Sequence, residues 1–142
     1  MNTRNNEQRP SINKLSIVIP AYNEAITIHF ILNKIADVQL LNNIQKEIII
    51  VDDCSKDNTK EVLNNYIKEN PQLHIRLIHH EINKGKGAAL HTGIQHANGD
   101  LVVIQDADLE YDPHEYNMLL QPVLDGHAED RKSTRLNSSH LV

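Results

Sequence analysis

Leu101-Val-Val-Ile-Gln-Asp-Ala-Asp-Leu-Glu-Tyr-Asp-Pro113 is an apolar run that stops abruptly in carboxylates. A continuous apolar run bounded by polar turn residues reads as a strand buried on both faces, as in a parallel sheet covered by helices. Asp106 and Asp108, spaced i and i+2 where the strand hands over to a loop, can turn toward one point. With Glu110 and Asp112 close behind, these acids repel one another unless something cationic sits among them. Hard oxygen ligands suit Mg2+ or Mn2+, and Mg2+ is usually held by one or two carboxylates plus substrate phosphates. An isolated Asp-x-Asp is more often a solvated acidic loop ahead of a helix, so the rest of the chain has to decide.

The 142 residues, 39% of them hydrophobic, leave room for one domain with a real core and not for two. Cys54 is the single cysteine, which rules out an internal disulfide and makes a reducing compartment, by default the cytoplasm, the expected setting. Residues 1–13 are polar and Asn-rich and are expected to be a disordered lead-in, with no signal-peptide core. No run approaches the ~18 apolar residues of a membrane span. A net charge of −5 without a basic stripe argues against nucleic acid as a partner. An acidic chain that binds an anionic substrate then needs local help: a metal, a helix N-terminus or a few placed lysines.

Outward from the acidic stretch the chain alternates in type. Leu15 to Ile19 is a strand that Pro20, lacking an N–H, is expected to end. Ile28, Ile31, Leu32 and Ile35 recur at helical spacing and predict a helix over roughly Glu24 to Val38. Glu47 to Val51 is a second buried strand running into Asp52 and Asp53. Asn58 with Glu61 resembles a capping box, and Val62, Leu63, Tyr66 and Ile67 supply the buried face of a second helix that Asn70-Pro71 stops. Leu73 to His79 is a third strand, and Gly85 to Ala97 a helix rich in small residues that Asn98-Gly99 ends. After the fourth strand, Asp112, Pro113 and Glu115 suit the N-cap, N1 and N3 positions of a last helix reaching about Leu124.

This alternation predicts an α/β domain: a Rossmann-like parallel sheet of order 3-2-1-4 with helices on both faces, ligands binding outside the carboxyl ends of strands one and four. The two loops there are Ala21-Tyr-Asn-Glu24 and the one carrying Asp106 and Asp108. The domain is assigned to residues 14–130. Residues 131–142 carry three basic residues, no acids and no periodicity, and read as a foreign or unstructured tail.

Two further loops carry chemistry. Asp52-Asp53-Cys-Ser-Lys-Asp57 offers carboxylates to a base N–H or a ribose hydroxyl, and helix capping explains one such acid but not three. Asn83-Lys-Gly-Lys-Gly87 combines glycines that permit close backbone approach, N–H groups expected to be free at a helix start, and the charges of Lys84 and Lys86. It has neither P-loop spacing nor a Gly-x-Gly-x-x-Gly after the first strand, so neither an ATPase nor a nicotinamide reading is supported. Cys54 reads as a bystander. His91 and His96 are misaligned for a metal pair, and His79 and His80 point to opposite sides of a strand. Acceptors for a nucleoside, donors for phosphates and carboxylates for a metal together describe a nucleotide-diphosphate site.

In order, Val-Ile-Pro-Ala-Tyr-Asn-Glu (18–24), Val-Asp-Asp-x-Ser-x-Asp-x-Thr (51–59), Asn-x-Gly-x-Gly-x-Ala (83–89), Gly93, Ala97-Asn-Gly-Asp100 and Gln-Asp-Ala-Asp-Leu-Glu-Tyr-Asp-Pro (105–113) resemble the family 2 glycosyltransferases of GT-A fold. The resemblance covers about Leu15 to Ala128, and the last piece is most similar to the branch of dolichyl- and polyprenyl-phosphate sugar transferases. It implies that Pro20, Ala21, Tyr22, Glu24, Asp52 and Asp53 hold the nucleoside of a UDP- or GDP-sugar, with Lys84, Gly85 and Lys86 on the phosphates. It implies that Asp106 and Asp108, joined by Glu110, bind Mg2+ or Mn2+, and that transfer to an acceptor, a lipid phosphate at a membrane surface, inverts the anomeric centre. In that family the sheet continues with further strands and acceptor-side residues, so this chain is expected to be incomplete at its C-terminus, with no catalytic base that can be named. Three other readings fit less well. A receiver module places its acid pair after the first strand, and a phosphatase places its Asp-x-Asp there, whereas these acids follow strands two and four. A catalytically inactive nucleotide-binding fragment remains the alternative to an enzyme.

Overall fold

The computed structural model describes residues 11–108 and 112–126. Glu110, the first ten residues of the lead-in and the tail lie outside the described residues. Four strands, β1 (Lys14–Ala21), β2 (Gln45–Asp52), β3 (Ile75–His79) and β4 (Leu101–Ile104), form a parallel sheet of order β3-β2-β1-β4. Between and after them lie α1 (Ile28–Asp37), α2 (Thr59–Glu69), α3 (Lys86–Gln95) and α4 (Tyr116–Leu124). Ile12, at the described end of the lead-in, packs against the core, and the Asn13 carbonyl accepts from the Gln45 N–H.

Strand alternation divides the core in two. Leu15, Ile17 and Ile19 of β1, with Ile48 and Ile50 of β2, face the buried stripes of α1, α2 and α4. Val18, Ile49 and Val51 face the other way, onto Ala89 of α3. Helices therefore cover both faces, as the sequence predicts, with α3 on its own side. Among the described residues no helix is long and apolar enough to cross a membrane.

Several boundaries differ from the sequence expectation, each for a local reason. Pro20 does not end β1; it is paired in register with Val51. The carbonyls of Lys14 and Val18 accept from Asp100 and Gln105, so backbone groups of this phase point toward β4, whose register ends at Val18 opposite Ile104. The N–H that Pro20 lacks would have pointed past the end of β4, where no ladder bond is lost. The first helix starts at Ile28 rather than Glu24, because a turn precedes it in which the Thr27 and Ile28 N–H groups both donate to the Glu24 carbonyl and Thr27, at φ −112°, departs from the helical φ. The capping box at Asn58 and Glu61 does not form; the Thr59 N–H donates instead to Asp57 Oδ1 at 2.9 Å.

The third helix runs over Lys86–Gln95 and stops before Asn98-Gly99. Gly99 is a close-approach position: a Cβ there would lie 2.6 Å from Ser16 Oγ and 2.7 Å from the Ser16 amide nitrogen. The last helix opens as expected, with the Asp112 carboxylate accepting from the His114 N–H and Pro113 first, although its first turn is a 3-10 turn, Pro113–Glu115.

Candidate active site

At the carboxyl ends of β1, β2 and β4, beside the start of α3, lies a cavity of about 610 Å3 lined by Pro20, Ala21, Tyr22, Glu24, Asp53, Asn83, Gly85, Lys86, Ala89, Asp106, Ala107 and Asp108. This is the strand-one and strand-four crevice that the alternating order predicts. The structure brings together most of the residues singled out in sequence, and strand alternation explains why it leaves Asp52 aside.

Asp52 and Asp53 are adjacent on an extended chain, so their side chains leave opposite faces of the sheet. Asp52, buried at 3% exposure, turns to the α2 side: its Oδ1 accepts from the Ser55 hydroxyl and N–H, and its Oδ2 lies 3.2 Å from His79 Nδ1. It does not line the cavity. Asp53 turns to the α3 side and does line it. Its Oδ1 accepts from the Lys84 N–H at 2.9 Å and from His80 Nδ1 at 2.8 Å, and its Oδ2 from the Gly85 N–H at 2.8 Å. Burial pushes the Asp53 carboxyl pKa up, but these three donors outweigh it and hold the group below the usual carboxylate range.

The loop before α3 therefore differs from expectation. The N–H groups of Lys84 and Gly85 are not free for an anion, because Asp53 takes both. The Lys84 side chain does not line the cavity. Gly85 precedes the helix at φ +95°, a conformation L side chains rarely adopt, and lets the chain turn so that α3 begins at Lys86 beside the cavity. The first-turn N–H groups of α3, which no intrahelical carbonyl can satisfy, form its positive end there.

The two loops that flank β1 and β2 are tied together by residues that sequence reading did not single out as a group. Asn23, at φ +55°, donates its N–H to Ser55 Oγ and accepts at Oδ1 from the N–H groups of Lys56 and Asp57. Asp57 also accepts from Ala25 and from the hydroxyl of buried Thr59. These bonds outweigh the upward push of burial and hold the Asp57 pKa low. The signal was present in the short polar residues themselves, which bond backbone groups of turns.

Asp106 and Asp108 both line the cavity. Asp106 leaves β4 in the same phase as Val102 and faces α3, where Lys86 Nζ lies 2.8 Å from its Oδ1. Gln105, one residue earlier, points the other way into the core; it is fully buried, and the Tyr116 hydroxyl donates to its Oε1 at 2.6 Å. That anchor to α4 fixes the strand end from which the two carboxylates project. Among the described residues no third His, Cys, Asp or Glu joins them. Two hard oxygen donors at a cavity wide enough for a diphosphate match the way Mg2+ and Mn2+ are held, with substrate oxygens completing the shell. The donor set fits the metal expected from sequence.

Residues 16–130 match the family model described as Glycosyl transferase family 2. Over 100 residues the chain is 43% identical to a dolichyl-phosphate beta-glucosyltransferase, ALG5A, of Trichomonas vaginalis, a match covering 66% of this chain and 30% of that protein. The structure resembles the mannosyltransferase PcManGT from Pyrobaculum calidifontis in complex with GDP-Man and Mn2+, with a TM-score of 0.65 and 27% identity over 80% of this chain and 35% of that one. It also resembles S. aureus TarS 1-349 in complex with UDP-GlcNAc, with a TM-score of 0.67 and 28% identity over 81% of this chain and 32% of that one. The chain thus spans 30% of the length of the Trichomonas protein and 35% or less of these two structures.

Proposed function

The chain belongs to glycosyl transferase family 2, and from that premise we propose that it forms the donor site of an enzyme that moves a sugar from a UDP- or GDP-sugar to a lipid phosphate of the dolichyl or polyprenyl class, at the cytoplasmic face of a membrane. The observation that carries this reading is the convergence of four loops on one cavity, through Pro20, Tyr22 and Glu24, through Asp53, through Asn83, Gly85 and Lys86, and through Asp106 and Asp108. The solved relatives that carry GDP-Man and UDP-GlcNAc support a nucleotide-sugar donor, and the dolichyl-phosphate relative supports a lipid-phosphate acceptor.

In this reading Pro20, Ala21, Tyr22 and Glu24 form one wall of the nucleoside pocket. Asp53 is the acceptor for a ribose or base hydrogen, and Asp52 supports it indirectly by fixing the Ser55 turn. The N-terminus of α3 and the Lys86 ammonium face the diphosphate. Asp106 and Asp108, joined by Glu110, would hold a Mg2+ or Mn2+ ion, which would supply positive charge to the leaving diphosphate. The acceptor phosphate, already anionic at neutral pH, attacks the anomeric carbon directly. The new C–O bond forms as the bond to the β-phosphate oxygen breaks, the nucleoside diphosphate departs with the electron pair, and the anomeric centre inverts. No proton has to be removed from such an acceptor, so no residue is assigned as a base.

Calorimetry with UDP and GDP, each with and without Mn2+ or Mg2+, tests the site. Binding of one nucleotide that depends on the metal is expected, together with loss of that dependence in the Asp106→Ala, Asp108→Ala double variant. Equal binding with and without metal, or no binding of either nucleotide, overturns it.

A further inference from the structure

We propose that His80 is a positioning residue of this donor site: with Thr92 it locks the Asp53 carboxylate so that a single acceptor lone pair of Asp53 is presented to the nucleotide. The inference rests on the donor-site reading above and adds to it a residue that no sequence motif marks.

His80 is the first residue past β3, and its N–H continues the ladder by donating to the Asp52 carbonyl at 2.9 Å. Its neighbour His79 lies beside Asp52, so alternation sends the His80 ring to the opposite face, toward Asp53 and α3. The ring is nearly closed off from solvent, at 7% side-chain exposure. Nδ1 lies 2.8 Å from Asp53 Oδ1, and Nε2 lies 2.9 Å from Thr92 Oγ1. An ionised carboxylate only accepts, so Nδ1 carries the hydrogen; the Thr92 hydroxyl, able to donate or accept, serves Nε2. One imidazole therefore bridges the end of β2 to the second turn of α3.

A carboxylate has about four lone-pair sites. Both sites on Asp53 Oδ1 are occupied, by the Lys84 N–H and by His80. One on Oδ2 is occupied by the Gly85 N–H, which leaves one toward the cavity that Asp53 lines. The same carboxylate thus anchors the loop that places Lys86 and is fixed in rotation by His80. Without the imidazole donor, the carboxylate is held only by the Lys84 and Gly85 N–H groups of the loop before α3 and loses its tie to Thr92, so carboxylate and loop can shift together. The orientation of the remaining acceptor and the entry of α3 then become loose together. A buried aromatic strut that merely filled space would need neither nitrogen.

Three substitutions separate these roles. His80→Phe keeps the ring volume and removes both nitrogens, His80→Asn returns a donor near the Nδ1 position at smaller volume, and Thr92→Val removes only the hydroxyl. We expect His80→Phe to raise the Kd for the nucleotide bound in the presence of Mn2+ by at least about tenfold, the size of a lost charge-assisted hydrogen bond. His80→Asn should return most of that loss although it packs less well, and Thr92→Val should fall between. In a double-mutant cycle, His80→Phe should add little once Asp53→Asn is present, whereas a packing role would let the two losses multiply. Wild-type affinity in His80→Phe, or multiplying losses in the cycle, overturns the inference. Should His80→Phe fail to fold, wild-type affinity in Thr92→Val together with no advantage of His80→Asn over His80→Ala does the same. A wild-type chain that binds neither nucleotide fails the donor-site reading itself, which is a distinct result.

Discussion

Lys86 Nζ lies 2.8 Å from Asp106 Oδ1, so an ammonium stands on one of the two carboxylates proposed to hold the metal. The lysine side chain is 63% exposed and the aspartate 14%, which makes this a solvent-screened pair worth roughly 0.2–1 kcal/mol. Removing the ammonium has opposite effects on the two ligands. In Lys86→Met, Mn2+ without nucleotide should bind more tightly, by no more than about fivefold, because a competing cation is gone. The nucleotide in the presence of Mn2+ should bind more weakly, because the diphosphate loses a positive neighbour. Titrations followed by Mn2+ electron paramagnetic resonance and by calorimetry read the two signs; weaker binding of Mn2+ alone would show that Lys86 is not its competitor.

Gly99 shows why the turn between α3 and β4 tolerates no side chain. A Cβ would meet Ser16 Oγ, the Ser16 nitrogen and, at 2.9 Å, the Lys14 carbonyl oxygen, two of them backbone atoms of the central strand. Overpacking of this kind costs typically about 1–3 kcal/mol. Gly99→Ala should therefore lower the urea midpoint of unfolding clearly without changing the m-value, and an unchanged midpoint would mean that the turn moves aside freely.

The layering of the molecule was legible because apolar spacing is set by the sheet and helix periods: Leu15, Ile17 and Ile19 face α1, α2 and α4, and Val18 faces α3. The strand ends that carry Glu24, Asp53 and Asp106 followed from the same alternation. Details governed by partners distant in sequence were less accessible. Pro20 stays within β1 because β4 ends at Ile104, a fact about another strand. Lys84 and Gly85 lend their N–H groups to Asp53, some thirty residues away, so a loop that resembles an anion nest in one dimension is already occupied in three. Even so, the expectation that His79 and His80 diverge contained the division of labour between Asp52 and Asp53, since each ring meets the acid on its own face.

Cys54 sits at φ +62°, between the two carboxylate turns, in a region where an L side chain costs roughly 1–2 kcal/mol over glycine. Its thiol recovers little, with one contact of 3.4 Å to the Glu81 carbonyl. Cys54→Gly also gains freedom in the unfolded chain, which subtracts part of the benefit. A net stabilisation of about 0.5 kcal/mol or slightly more is expected, visible as a small rise in thermal midpoint. A fall instead would mean that the thiol contact outweighs the backbone strain.

Glu47 joins the turn before β4 to the centre of the sheet: its Oε2 accepts from the Ser16 hydroxyl at 2.6 Å and from the Asn98 N–H at 2.9 Å. Burial pushes its pKa up, but the hydrogen bonds from Ser16 and Asn98, with Lys14 nearby, outweigh that and leave it below the ordinary glutamate value. A carboxyl whose folded pKa is depressed contributes stability that is fully present above its unfolded pKa and is lost as the pH falls through the lower folded value. Glu47→Gln keeps the shape and one acceptor oxygen but cannot ionise. Its deficit against the wild type should therefore be largest near neutral pH and shrink progressively in acid, as protonation of Glu47 brings the two proteins together. Urea unfolding of both proteins at pH 7, 5 and 3.5 measures this directly, and a deficit that stays constant across that range would show that shape, not charge, is what Glu47 supplies.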